Sequence, residues 1–295
     1  MRFDESHESS DVIDRRGEGP ADEGPAQAGG GIGGLLFLLP WLIRTPFGWV
    51  VIVGALAIYL AQGLFTQGSP APRAHGGSFP QSAEQTDATE VHFVSFVLDD
   101  VQHSWETDPT VGQSYRHAKL VLYTDSTRTG CGLGDAATGP FYCPADERVY
   151  IDLGFYRELA GRLGARGQFA QAYVIAHEVG HHVQKLLGLS QRVDAAHHVS
   201  GATSPSVRLE LQADCFAGVW AHSTAQRSLL EAGDIESALG AAAAVGDDRL
   251  QRMARGTVSP ESWTHGSSQQ RTRWFKRGFD TGSVAACETF GAAQL

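Results

Sequence analysis

The sequence predicts an α+β fold: a mainly helical domain carrying a small β-sheet, preceded by a single transmembrane helix. Three observations point there. Residues 47–65 form an unbroken run without a charged side chain, and at about 1.5 Å per residue the run spans roughly 28 Å, the hydrocarbon thickness of a bilayer. Beyond residue 90, apolar side chains recur mostly at helical spacing, with only short segments rich in Val, Leu, Ile and Tyr that read as strands. One helical stretch carries His177-Glu178-Val179-Gly180-His181, two histidines a turn apart on one face.

The chain has 295 residues with 23 Lys+Arg against 33 Asp+Glu, a formal net charge of −10. That length suits one substantial domain with extensions. Residues 1–46 carry a net −4 and the remainder −6, so neither part offers the clustered cations that phosphate contacts need, and nucleic acid is excluded as a partner. The oligomeric state is not legible in one sequence.

In chain order, residues 1–46 are predicted to be an acidic tail and an apolar juxtamembrane run. Residues 1–31 are rich in Gly, Asp, Glu and Ser and bury too little apolar surface to offset their ordering entropy, so they read as disordered. Asp14-Arg15-Arg16-Gly17 is their one cationic spot. Residues 32–43 are apolar, interrupted by Pro40 and closed by Arg44; they are too short to span and either lie on the membrane or extend the anchor. Residues 47–65 are the predicted transmembrane helix. Arg2, Arg15, Arg16 and Arg44 precede it and only Arg73 follows closely. The positive-inside rule therefore puts the N-terminus in the cytoplasm and the following domain outside, in a single-pass protein of the cell membrane whose partner is the lipid bilayer. A cleaved signal peptide fits less well, since its apolar core is shorter and nearer the start. Residues 66–89, rich in Gly, Pro, Ser and Gln, read as a linker, and residues 90–295 as the globular domain.

Within that domain Phe93, Phe96, Val97, Val101 and Trp105 mark a first helix. Residues 119–124 and 148–152 are predicted strands, and residues 130–144 a Gly-rich loop between them. Helices follow over 154–163, 168–187, 205–222, 235–254 and 267–278. Gly188 stops the second of these, and Ser204 with Pro205 starts the third as N-cap and first helical residue. Gly180 costs about 1 kcal/mol against alanine in a helix interior, so its place between two histidines predicts a close neighbour.

His177 and His181 can meet one metal ion, with zinc the natural occupant, and Glu178 is placed to touch a water bound there. Catalytic zinc takes a third protein ligand. His197, His198, His222 and His265 are candidates; His182 turns away from His181 by about 100°. Glu210 is the better one. It shares a helical face with Asp214, four residues later, among Leu209, Ala213, Phe216 and Trp220. One carboxylate can complete the zinc shell while the other accepts the second ring N–H of a ligand histidine and sets its tautomer. His265, just before the last helix, could stabilise a developing oxyanion or cap the helix; Tyr173 and Tyr150 are further candidate donors.

Cys131, Cys143, Cys215 and Cys287 all follow the apolar run and include no Cys-x-x-Cys pair, which favours disulfides over a second zinc site. Of the three pairings, Cys131–Cys143 with Cys215–Cys287 is preferred. The first closes the Gly-rich loop; the second ties the Glu210 helix to the C-terminus.

His177-Glu178-Val179-Gly180-His181 and Glu210-x-x-x-Asp214, with Gly139-Pro140-Phe141-Tyr142-Cys143-Pro144-Ala145-Asp146, Val149-Tyr150-Ile151-Asp152 and Thr264-His265-Gly266-Ser267-Ser268 followed by Arg271, together resemble the putative neutral zinc metallopeptidase family of bacterial membrane-anchored proteins. The resemblance extends to Asp14-Arg15-Arg16-Gly17 and the apolar anchor. It implies a zincin-like domain with two histidines and a glutamate on Zn2+, acting on a peptide or protein substrate it does not specify. The expected reaction is peptide-bond hydrolysis by a metal-activated water with Glu178 as general base. The rival is a membrane-tethered binding scaffold in which zinc only stabilises the fold, with a closed coordination shell.

Overall fold

The computed structural model describes residues 1–18, 81–194 and 199–295. The mainly helical α+β class holds. The predicted transmembrane helix at 47–65 and the apolar run at 32–43 lie outside the described residues, as do His197 and His198, and no helix among the described residues is long and apolar enough to cross a membrane.

The principal sheet has the order β1–β2–β6–β5: Val12–Asp14, Lys119–Tyr123, Arg148–Asp152 and Phe141–Cys143. β2 is parallel to both β1 and β6, and β5 runs antiparallel to β6. The central strands β2 and β6 are the predicted ones; Leu120, Val121, Leu122, Val149, Tyr150 and Ile151 are all buried, the near-continuous apolar run expected of strands covered on both faces. The Gly-rich loop is a correction: it contains β4 (Gly132–Asp135) and β5, and β4 pairs antiparallel with β3 (Ser126–Thr129). Too few apolar residues alternate there to mark strands. Pairing to β6 and the Cys131–Cys143 disulfide supply the order instead.

The N-terminal segment is the larger correction. Residues 1–18 are folded, not disordered. Val12, Ile13 and Asp14 pair with Leu120, Val121 and Leu122, and Phe3 meets Phe93 edge-on at 5.1 Å. The Met1 ammonium lies 3.0 Å from Asp234. Asp11 is buried and accepts hydrogen bonds from Gln102, His117 and Lys119. A segment with few apolar residues is ordered here because its strand completes a sheet edge and its charges find partners on other elements. β1 and β2 share one sheet, so residues 1–18 belong to the same folded unit as the strands they pair with.

The helices are α1 (Gln81–Thr107), α2 (Gly154–Gly161), α3 (Gln168–Leu186), the single turn α4 (Gln191–Asp194), α5 (Pro205–Gln226), α6 (Asp234–Ala244), α7 (Asp247–Arg255) and α8 (Ser268–Thr281). α1 begins within the predicted linker, so residues 81–89 belong to the helix. Asp100 on α1 binds Arg227, Trp220 and Thr224 at the end of α5, a buried carboxylate whose partners offset its desolvation. The helix predicted over 235–254 is broken between α6 and α7. The Asp247 N–H leaves the helical ladder for the Gly266 carbonyl at 2.9 Å.

α3 and α5 form the centre of the core. Gly180 packs against α5 as expected: a Cβ there would sit 3.2 Å from the Ala213 carbonyl oxygen. α5 and α8 approach more closely still, since a Cβ on Gly218 would lie 2.1 Å from the Phe275 oxygen and one on Gly278 1.9 Å from the Cys215 oxygen. The Cys215–Cys287 disulfide ties α5 to the short helical turn that follows α8.

Candidate metal centre

α3 delivers three groups to one cavity. His177, Glu178 and His181 sit in a helix that otherwise buries Phe169, Tyr173, Ile175, Ala176, Val179 and Val183, so packing on several sides fixes the helix while this face remains open. The facing wall is α5. Ser204 caps it by accepting from the Val207 N–H, and Gly180 lets its backbone come close enough for Glu210 to reach α3.

His177, His181 and Glu210 offer ligand atoms within 4.8 Å of one another. His177 Nε2 lies 3.3 Å from Glu210 Oε2, and His181 Nε2 3.4 Å from Glu210 Oε1. Each imidazole has its other nitrogen engaged: His177 Nδ1 with Asp214 Oδ1 at 2.9 Å, and His181 Nδ1 with Gln184 Oε1 at 2.8 Å. Donation from Nδ1 leaves both Nε2 atoms as acceptors facing the same point, the arrangement a metal requires.

The charge balance fits a divalent cation. Glu178, Glu210 and Asp214 face a single buried guanidinium, Arg271, leaving two negative charges that neutral imidazoles do not offset. Protons respond to the same field. Burial disfavours the His177 imidazolium, but Asp214 and Glu210 outweigh it and raise its pKa to about 10. Burial would raise the Glu210 carboxyl, yet His181 and His177 hold it well below the usual carboxylate range. Glu178 goes the other way: burial raises it despite the two nearby histidines. No hydrogen bond or ion pair with a described residue ties up the Glu178 carboxylate, so a proton acceptor is left free beside the three candidate ligands.

The cavity has a volume of about 630 Å³ and joins Glu178 and the three candidate ligands to His265, Arg271, the segment 137–142 leading into β5, and apolar side chains from α2, α3 and α7. His265 reaches it from the turn before α8. Asp247 Oδ2 accepts the backbone N–H groups of Thr264, His265 and Gly266 at 2.7–3.0 Å, while Asp247 Oδ1 lies 3.4 Å from His265 Nδ1. That pairing raises the His265 pKa on a ring that is 53% exposed. The other candidate donors are committed elsewhere: the Tyr173 hydroxyl donates to Asp214 and that of Tyr150 to Asp146. His182 joins Tyr142 and the Arg116 carbonyl, and His222 the Phe279 carbonyl.

Two members of this site escape a reading by sequence alone. Asp247 lies inside what reads as a continuous helix. Arg271 stands out in the sequence but spacing gives it no partner, because its carboxylate is 57 residues away on another helix. Both cysteine pairings are the preferred ones, Cys131–Cys143 and Cys215–Cys287.

The family described as putative neutral zinc metallopeptidase matches residues 1–290. The uncharacterized protein YpfJ of Escherichia coli strain K12 is 47% identical over 298 residues, 99% of each chain. The uncharacterized protein Rv2575 of Mycobacterium tuberculosis strain H37Rv is 46% identical over 192 residues, 61% of this chain and 65% of the relative. No solved structure shows a significant match to the chain.

Proposed function

Because the chain belongs to the putative neutral zinc metallopeptidase family, we propose that it is a zinc-dependent peptidase in which His177, His181 and Glu210 hold the metal and Glu178 is the general base. The observation that carries this reading is the convergence of two acceptor nitrogens and a carboxylate beside a buried carboxylate with no other partner among the described residues, all on one cavity. Zinc held there supplies Lewis acidity, bringing the pKa of a water near 7 and polarising a carbonyl.

Glu178 takes the proton of the attacking water and returns it to the departing amine. Its raised pKa makes it a stronger proton acceptor than an ordinary carboxylate, and the departing amine, more basic still, takes the proton on. Asp214 accepts from His177 Nδ1 and Gln184 from His181 Nδ1, keeping both rings in the ligating tautomer. His265, oriented by Asp247, donates to the carbonyl oxygen as negative charge develops on it. Apolar side chains on the cavity wall lower the local polarity and strengthen each of these interactions.

The charge-free stretch at 47–65 supports attachment to a lipid bilayer, and the two disulfides support an oxidising, extracytoplasmic compartment for the domain. With β1 paired to β2, residues 1–18 share that compartment.

The test is cleavage of a quenched-fluorescence peptide library by the zinc-loaded full-length protein. The expected result is turnover that a chelator abolishes and added zinc restores. Tight zinc binding with no cleavage of any library member would instead favour the non-catalytic scaffold.

A further inference from the structure

Arg271 is 4% exposed on the first turns of α8. A buried guanidinium is costly unless a carboxylate faces it, and even then such a pair seldom stabilises a fold more than well-packed apolar residues would. The geometry of its contacts is unusually concentrated. Nε donates to Asp214 Oδ2 at 2.8 Å and Nη2 to Asp214 Oδ1 at 2.9 Å, a two-pronged grip on both oxygens. Nη2 is also 3.1 Å from the Tyr173 hydroxyl, which itself donates to Asp214 Oδ1 at 2.5 Å. The same nitrogen stands 3.3 Å from His177 Nδ1 and 3.5 Å from His177 Nε2.

The fold sets this grip before any metal arrives. Asp214 and Gly218 are one turn apart on α5, and Arg271 and Gly278 two turns apart on α8. The glycines mark where the two backbones touch, so the crossing fixes the axial register at which guanidinium meets carboxylate. The Ser267–Gln270 capping box and the Ser268 bonds to Asp248 and the Ala243 carbonyl hold the start of α8.

We propose that Arg271 is a positioning residue of the metal centre: its fork fixes both oxygens of Asp214, and through Asp214 it fixes the His177 ring with Nε2 toward Glu210. The inference rests on the reading of His177, His181 and Glu210 as ligands. Without the fork, Asp214 Oδ2 loses the guanidinium partner that fixes it and the carboxylate is free to turn, so the His177 ring loses the partner that sets its tautomer and tilt. Lysine keeps the charge but offers a point donor instead of a planar fork.

The experiment measures Zn2+ affinity by competition with a chromophoric chelator, and the Co2+ absorption spectrum, for the wild-type full chain, Arg271→Gln and Arg271→Lys. Near-UV circular dichroism checks the fold of each metal-free protein. The expected result is a loss of about 10- to 100-fold in zinc affinity for Gln, a smaller loss for Lys, and a shifted cobalt spectrum in both. Folded Arg271→Gln with wild-type zinc affinity and an unchanged cobalt spectrum would overturn the proposal. Should the Gln variant not fold, the Lys variant decides alone: wild-type affinity and spectrum overturn the proposal, and a weakened, spectrally altered site supports it. A wild-type protein that binds no zinc overturns the ligand assignment itself, a failure distinct from that of Arg271.

Discussion

His177 and His182 stand five residues apart on one helix, and their surroundings assign them opposite tasks. His177 faces Asp214 and Glu210, whose charges outweigh burial and hold a proton on the ring when no metal takes its place. His182 faces the Tyr142 hydroxyl and the Arg116 carbonyl. It is fully buried, and that burial lowers its pKa. One face of α3 meets carboxylates and the other neutral hydrogen-bond partners that clamp the helix to the sheet side. The residue type is the same; the neighbouring charge decides.

The largest effect should separate the two faces. His177→Ala should lose far more zinc affinity than the about 10- to 100-fold typical of removing a supporting partner, with the metal-free fold retained. His182→Ala should keep its zinc and lose about 2–4 kcal/mol of stability, from two broken hydrogen bonds and the cavity left behind. Zinc content and denaturant melts of both variants check the split. Loss of zinc from His182→Ala alone would erase the distinction.

The two disulfides extend the comparison to stability. Cys215–Cys287 spans 72 residues and Cys131–Cys143 only 12. Chain entropy alone predicts losses of about 4 kcal/mol and about 3 kcal/mol when the respective pairs become serine. The first anchors α5 at the residue next to Asp214 to the turn that follows α8, so its removal should weaken zinc binding as well. The second lies among the strands next to the cavity rim and should leave zinc affinity unchanged. Melts and metal titrations of the two double variants test both statements.

A smaller effect concerns His265. Asp247 raises its pKa, and His265 in turn helps hold Asp247 below the usual carboxylate range despite burial. A raised imidazole pKa contributes fully below the ordinary histidine value and is lost as pH rises through the folded-state value; the lowered carboxyl contributes above the ordinary carboxylate range and is lost as pH falls through its own. Their pairing is therefore strongest between those limits. With imidazolium as the donor, kcat/KM should fall on the alkaline side, and Asp247→Asn should move that fall to lower pH. An alkaline limb that does not move would remove His265 from the reaction.

Much of this was legible in the sequence where one element carries the whole signal. The α3 motif, the Ser204–Pro205 start of α5, the Glu210–Asp214 spacing and the central strands 119–123 and 148–152 each lie within a few consecutive turns or residues. What was not legible depends on partners far along the chain. β1 is three residues long, and only its pairing with β2, more than a hundred residues later, makes it a strand. The β4 and β5 strands are Gly-rich or short and are held by neighbours and a disulfide. Arg271 and Asp247 act across helix junctions that no periodicity marks.

The central claim is that Glu178 moves the proton in a zinc-dependent hydrolysis. The most direct measurement pairs zinc content with peptide cleavage for wild type and Glu178→Gln. The Gln variant is expected to keep one zinc-binding site of unchanged affinity and to turn over about 10²- to 10⁴-fold more slowly. Wild-type turnover by the zinc-loaded Gln variant would contradict it.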